Sequence, residues 1–195
     1  MKHEVRNPKQ IQIKILKRMA FSVIIKSMHA EKKNENILPF SAGVVLVEPE
    51  IPQNTGNIAR TCAALGCKLH LIEPLGFSLT TQRLRRAGVD YWHLVEVERH
   101  KNIETFFNLN PGGTFYFFTR KAQRSYHEVA FTSEGPVFFI FGKESTGLPD
   151  ALLAQYPCQC LRIPMRDEAR SLNVSNAAAV VLYEAFRQNN FPGLH

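Results

Sequence analysis

The chain has 195 residues, of which 45% are hydrophobic and 21% are charged. This composition is typical of a globular protein and excludes a disordered or fibrous chain. The net charge of +7 suggests a polyanionic partner, but nine of the 24 Lys and Arg residues, and only three of the 17 acids, fall in residues 1–40. The rest of the chain is nearly neutral, so overall basicity is weak support for RNA binding.

Residues 1–40 differ from the rest because they are polar and basic, with only short apolar patches. We predict an N-terminal extension, poorly ordered or partly helical, before one domain over residues 41–195. A docking arm for RNA is the alternative. No run of residues approaches the roughly 20 apolar residues of a membrane span. We therefore expect no membrane association and a cytoplasmic protein, with an organellar transit peptide as the alternative for the basic start.

The chain has four cysteines, which form two closely spaced pairs, Cys62 with Cys67 and Cys158 with Cys160. Neither spacing matches a common zinc-binding pattern. We predict reduced thiols and no metal site at these residues.

From Gly43 onward, short apolar runs alternate with helical stretches, which is typical of an α/β fold with a parallel sheet. In chain order, the first half predicts a strand at Val44–Val47, a helix at Pro52–Ala64, a strand at Lys68–Ile72, a helix from Thr80 or Thr81 to Arg86 that Gly88 ends, and a weak strand near His93–Val97.

The second half continues the alternation after a helix near Asn102–Asn108. The predicted elements are strands at Thr114–Phe118, Val137–Phe141 and Cys160–Ile163, and helices at Asp150–Gln155 and Asn173–Gln188. Five to six parallel strands result, with helices on the faces of the sheet.

Familiar nucleotide-binding and hydrolase motifs are missing from this chain. The loops after the strands contain neither G-x-G-x-x-G nor G-K-[ST], which excludes the ordinary dinucleotide and P-loop folds. The serines lack a nucleophile elbow, so Ser-His-Asp hydrolysis has little support. We interpret four histidines as surface or satisfied side chains: His70, His93, His100 and His127.

Three loops at predicted strand ends combine glycines with polar side chains. The first contains N-T-G-N-I-A-R at residues 54–60, where Asn54 could simply cap the helix and Arg60 would lie about one and a half turns further on. The second is F-G-K-E-S-T-G at residues 141–147, which places the Glu144 carboxylate at the sheet edge. The third is I-P-M at residues 163–165, followed by S-L-N-V-S-N-A at residues 171–177.

Taken in this order, the three motifs resemble those of the SPOUT RNA 2′-O-methyltransferases. The resemblance extends from Val44 to about Leu194. Glu73–Phe77 and Arg83–Tyr91 are further similar to the small branch that methylates the tRNA wobble nucleotide, a cytidine or modified uridine at position 34. The resemblance implies a deep C-terminal trefoil knot, S-adenosylmethionine as methyl donor, tRNA as partner and a homodimer.

The resemblance also implies site residues. The adenosine would lie against backbone at Phe118, Gly142, Ile163 and Ser171, in a pocket also lined by Met165 and Leu172. The acceptor ribose would be surrounded by four residues with catalytic parts: Arg60, Glu144, Ser171 and Asn173. The chemistry needs no metal, because the methyl donor is already a cation.

The roles of these side chains stay open. An arginine resists deprotonation, so we expect Arg60 to position the hydroxyl or the adjacent phosphate. Glu144 could orient Arg60 or accept the proton through water, and a merely structural Glu144–Arg60 ion pair is the alternative. In the implied dimer, Arg60 could serve the partner's site.

The predicted tRNA-binding residues are Asn54, Arg60, Arg83, Arg85 and Arg86, and the last three form a basic cluster suited to phosphates. A second basic cluster comprises Arg120, Lys121 and Arg124. Either cluster could instead be a solvated surface. Two other functions remain as alternatives: methylation of a ribosomal RNA ribose, and a catalytically silent RNA-binding or assembly factor.

Overall fold

The computed structural model describes residues 40–78, 92–132 and 134–195. The predicted N-terminal extension, apart from Phe40, and the predicted helix at 80–86 lie outside these ranges. Within them, no helix combines the length and the apolarity that crossing a membrane requires.

Six parallel strands form one sheet in the order β3-β2-β1-β5-β4-β6. Their bounds are β1 Ala42–Val47, β2 Lys68–Ile72, β3 Val97–His100, β4 Thr114–Phe118, β5 Val137–Phe141 and β6 Cys160–Leu161. Strands β1 and β5 are buried along their whole length, as expected for central strands that are covered on both faces. The predicted parallel α/β sheet is confirmed.

Helices cover both faces of this sheet. Their bounds are α1 Pro52–Leu65, α2 Ile103–Leu109, α3 Asp150–Leu153 and α4 Val174–Gln188. Apolar side chains of α1 and α4 share one core cluster with alternate residues of the strands, while α2 and α3 contribute to a second cluster on the opposite face. The trefoil knot that the resemblance implies stays a prediction.

Some predicted elements differ from the structure. The strand predicted near His93–Val97 is wrong, because Trp92–Leu94 forms a 3-10 turn and the strand is Val97–His100. This strand lies at the sheet edge, where one neighbour suffices and polar residues are tolerated, so it lacks the apolar run of a central strand. The last strand and α3 are also shorter than predicted, with two and four residues.

The loop after β5 turns back on itself within six residues. The Gly147 amide donates to the Lys143 carbonyl over 2.9 Å, and Gly147 has a φ of +74°, a conformation that favours glycine. A Cβ atom on Gly142 would lie 2.2 Å from the carbonyl carbon of Gly147. The sequence therefore needs both glycines to keep Glu144, which lies between them, in its place.

We expect Gly142→Ala to lower the free energy of unfolding by about 1–3 kcal/mol or more, because the added methyl group meets backbone that cannot move aside. Urea unfolding measures this change. Gly112→Ala is the matched control, since a Cβ atom there has no neighbour within 4 Å. Equal stability of the two variants would contradict the packing argument.

Candidate active site

A cleft of about 640 Å³ opens at the carboxyl edge of the sheet. Phe118 and Phe141, which end β4 and β5, border it, together with Ile163 just after β6. Ligands of open α/β sheets bind at this edge, where the loops that follow parallel strands converge. The volume is within the usual range for a small-molecule site.

The structure brings most of the predicted site residues together in this cleft. All six predicted cofactor-binding residues line it: Phe118, Gly142, Ile163, Met165, Ser171 and Leu172. Asn54, Glu144 and Asn173 line it as well. Met165 and Leu172 are 37% and 38% exposed although they are apolar, which leaves apolar surface available to a ligand. The roles assigned to these residues stay predictions.

The Glu144 carboxylate connects the loop after β5 to the start of α1. One oxygen accepts a hydrogen bond from the Glu50 amide at 2.8 Å. The other accepts from the Ile51 amide at 3.3 Å and from Asn54 Nδ2 at 3.0 Å. These bonds hold the two loops together. The negative charge also lies at the N-terminus of α1, where the helix dipole favours an anion.

Asn54 links this carboxylate to the third loop. Its Oδ1 accepts a hydrogen bond from Asn173 Nδ2 at 3.0 Å, while its Nδ2 donates to Glu144. The interpretation of Asn54 as a helix cap is wrong, because Ile51 occupies the N-cap position and Asn54 is buried inside the helix. Asn173 does cap α4, accepting from the Ser175 and Asn176 amides. One amide side chain thus connects all three motif loops.

Two further contacts between the first two loops were not predicted from the sequence. The Glu50 carboxylate accepts hydrogen bonds from the Ser145 hydroxyl at 2.8 Å and the Ser145 amide at 2.9 Å, and these bonds lower the pKa of Glu50. Lys143 forms an ion pair with Glu48 at 2.6 Å. Lys143 and Ser145 belong to the second motif loop, and Glu48 and Glu50 lie just before the first motif in the sequence. This placement does not specify which residues pair.

Arg60 is not among the residues that line this cleft. It lies on α1 with an exposed side chain, whereas the resemblance implies a place beside the acceptor ribose. Arg83, Arg85 and Arg86 lie outside the described residues. The second basic cluster contributes Arg120 and Lys121 to the lining.

The side chains of this second basic cluster are anchored by contacts within the chain. Arg120 donates to the carbonyl oxygen of Arg170 at 3.1 Å, and Lys121 pairs with Asp150 at 2.5 Å. Arg124 donates to the Glu128 carbonyl at 3.2 Å. Both residues of the Lys121–Asp150 pair remain exposed, so this ion pair contributes little to stability.

The four cysteines are free, as predicted. Three are buried, and burial raises the pKa of Cys67 to about 12. A protonated, buried thiol is a poor nucleophile. Cys158 is exposed, but it does not line the cleft.

Residues 41–183 match the SpoU rRNA Methylase family, and the chain belongs to this family. A protein of Geobacillus stearothermophilus, provisionally named tRNA (cytidine(34)-2′-O)-methyltransferase, is 53% identical over 152 residues, which cover 77% of this chain and 97% of the relative. The tRNA (cytidine(34)-2′-O)-methyltransferase of Burkholderia cenocepacia is 49% identical over 154 residues, with the same two coverages.

Solved structures of this family have the same fold. One concerns the 2-OH methylation of C/U34 on tRNA; it is 44% identical, has a TM-score of 0.73, and the match covers 78% of this chain and 99% of that one. Another is an AdoMet-bound rRNA methyltransferase from Sinorhizobium meliloti, 27% identical with a TM-score of 0.68, where the match covers 77% of this chain and 57% of that one.

We expect Asn54→Ala to lower the free energy of unfolding by about 1–3 kcal/mol, because Glu144 loses a donor and Asn173 loses its acceptor. A double-mutant cycle with Asn173→Ala, followed by urea unfolding, separates the pair from the helix cap that Asn173 also provides. The coupling energy should be about 0.5–3 kcal/mol.

Asn57→Ala is the control on the same helix, because the Asn57 side chain is exposed. It should change stability by no more than about 0.5 kcal/mol. Strict additivity of Asn54→Ala and Asn173→Ala would show that the bond between the two amides contributes nothing.

Proposed function

We propose that this protein transfers a methyl group from S-adenosylmethionine to the ribose 2′-hydroxyl of tRNA nucleotide 34, a cytidine or a modified uridine. The observation that carries the proposal is the meeting of three motif loops in one cleft, in a chain about half identical to relatives named for this reaction. tRNA as the substrate supports a cytoplasmic location for the enzyme.

The lining of the cleft fits an adenosine-containing methyl donor. Apolar side chains of Ile163, Met165 and Leu172 lie beside the glycine-containing loop that begins at Gly142. Such a lining suits a purine, whose edges can bind to main-chain groups. When bound, S-adenosylmethionine supplies an electrophilic methyl group on a positively charged sulfur. The AdoMet-bound relative from Sinorhizobium supports this choice of methyl donor.

The polar side chains of the cleft are suited to holding geometry. Glu144 is already engaged by three donors, which favours a positioning role over proton transfer. The same contacts hold Asn54 and Asn173 in fixed orientations. We propose that Ser171 and Asn173 orient the ribose hydroxyl for in-line attack, because a reacting atom misplaced by about 1 Å can cost about 100-fold in rate.

Arg60 does not line the cleft of its own chain, which leaves presentation by a second copy as a route into the site. We propose a homodimer in which Arg60 enters the partner's cleft and positions the hydroxyl or an adjacent phosphate. Val180 and Tyr183 on α4 are 39% and 48% exposed, and exposed apolar side chains on one helix are suited to an interface.

Arg120 and Lys121 supply positive charge beside the cleft for the phosphates of tRNA. Arg83, Arg85 and Arg86 are the other proposed phosphate-binding residues, with Asn54 and Arg60 closer to the nucleotide.

Purified protein, labelled S-adenosylmethionine and bulk tRNA should yield labelled tRNA, and nucleoside mass spectrometry should locate the methyl group on the 2′-oxygen at position 34.

We expect Glu144→Gln to reduce turnover by about 100-fold, because an amide group would face donors that now bind a carboxylate. Glu128→Gln, an exposed substitution away from the cleft, should retain turnover.

Each alternative has its own outcome in this experiment. Incorporation into ribosomal RNA and not into tRNA would support the ribosomal methyltransferase. No incorporation into either RNA would support a silent RNA-binding factor. Unchanged 2′-O-methylation at position 34 in tRNA from a deletion strain would contradict the proposed nucleotide.

Mixing two inactive variants tests the composite site. In a dimer of Arg60→Ala with Asn173→Ala, one cleft combines the intact Asn173 of one chain with the intact Arg60 of the other. Random subunit exchange should therefore restore about one quarter of the wild-type sites in this isologous arrangement. Each variant alone is the control, and no recovery after proven exchange would mean that Arg60 acts within its own chain.

A further inference from the structure

Two buried histidines and a glutamate meet on one face of the sheet, on strands that form no part of the cleft lining. His70 lies on β2, and Glu98 and His100 lie on β3. The parallel register pairs His70 with Glu98 and Ile72 with His100. Side chains two residues apart in a strand point to the same face, so this pairing places the three together. Both histidine side chains are only 2% exposed.

The possible ligand atoms of these residues form a small triangle. His70 Nδ1 lies 3.0 Å from His100 Nε2, and Glu98 Oε2 lies 3.6 Å and 3.9 Å from these two nitrogens. A point equidistant from the three atoms is about 2.1 Å from each, and Zn–N and Zn–O bonds are about 2.0–2.2 Å long. We propose that the His70–Glu98–His100 cluster binds a divalent transition metal, with Zn²⁺ as the best fit.

The electrostatic state of the ligands suits a metal. Burial lowers the pKa of His70 to about 4 and also lowers the pKa of His100. A lowered pKa favours the neutral ring, which is the form that binds a metal. Glu98 turns its other oxygen, Oε1, toward Lys68 Nζ at 3.1 Å, which leaves Oε2 to the histidines. Lys68 also forms an ion pair with Glu96. This pair balances the charge of the ammonium group, which would otherwise repel a cation at the cluster.

The surroundings leave one side of the cluster open. Phe106 and Phe138 pack against the His70 ring with centroid distances of 5.1 and 5.4 Å, and this apolar shell strengthens electrostatic interactions. The Glu98 side chain is 37% exposed, so an ion can enter there and keep a water molecule as a fourth ligand. Three protein ligands and one open position are a common zinc arrangement.

Without a metal, the two histidines satisfy each other poorly. They share one hydrogen bond, between the inner nitrogens His70 Nδ1 and His100 Nε2. A metal would replace this single shared bond with a coordinate bond to each inner nitrogen. It would also fasten the edge strand β3 to β2.

Metal-stripped, tag-free protein of full length is titrated with ZnCl₂ by calorimetry, and Co²⁺ serves as a spectroscopic probe of coordination. We expect one ion per chain, visible absorption typical of four-coordinate Co²⁺, and a melting temperature that rises with Zn²⁺ concentration. Glu98→Gln should weaken Zn²⁺ binding by about 10-fold or more, and His100→Phe should abolish it.

His127→Gln and Cys158→Ser are matched controls, because they remove exposed potential ligands outside the cluster. Both should bind Zn²⁺ as the wild type does. The proposal is overturned if the wild type binds no Zn²⁺, or if Glu98→Gln binds it with unchanged affinity. Should His100→Phe fail to fold, Glu98→Gln still decides, since its side chain is partly exposed and similar in size.

Discussion

The hydrogen bonds of the Glu144 carboxylate are the constraint on which the cleft depends. Helix α1 begins without a capping side chain of its own. A carboxylate from a loop 94 residues further along the chain accepts instead from the Glu50 amide, just before the helix, and from the amide of the N-cap residue Ile51. Strands β1 and β5 are neighbours in the sheet, so the loops that follow them emerge side by side. Parallel pairing of the two strands thus brings an anion to the positive end of a helix.

The strands of this fold follow from the sequence where burial determines composition. Val137–Phe141 is predicted correctly because a central parallel strand is covered on both faces and must be apolar throughout. Val97–His100 could not be predicted in this way, because an edge strand with exposed residues has no continuous apolar run. Cys160–Leu161 is shortened because only two of its residues pair with β4. Tertiary pairing, and not local preference, sets those limits.

The motifs predicted which residues line the cleft, but they did not predict the hydrogen bonds among those residues. Asn54 resembles a cap in the sequence, yet the helix starts at Pro52 with Ile51 in the cap position, and Asn54 is buried in the first turn. Its partners Glu144 and Asn173 are 90 and 119 residues away, and no local pattern encodes contacts at that separation. The exposed position of Arg60, outside the cleft of its own chain, depends in the same way on the packing of α1.

The two sides of the cleft differ in how firmly they are held. The loops around Glu50 and Glu144 are joined by reciprocal hydrogen bonds: the Glu50 amide donates to Glu144, and the Glu50 carboxylate accepts from Ser145. The opposite side, residues 164–173, is exposed along its whole length, with Asn173 as its link to the first side. A ligand in the cleft would bury apolar surface mainly on this exposed side. The polar groups on the other side are already held by hydrogen bonds, so little of the binding energy would be spent on orienting them.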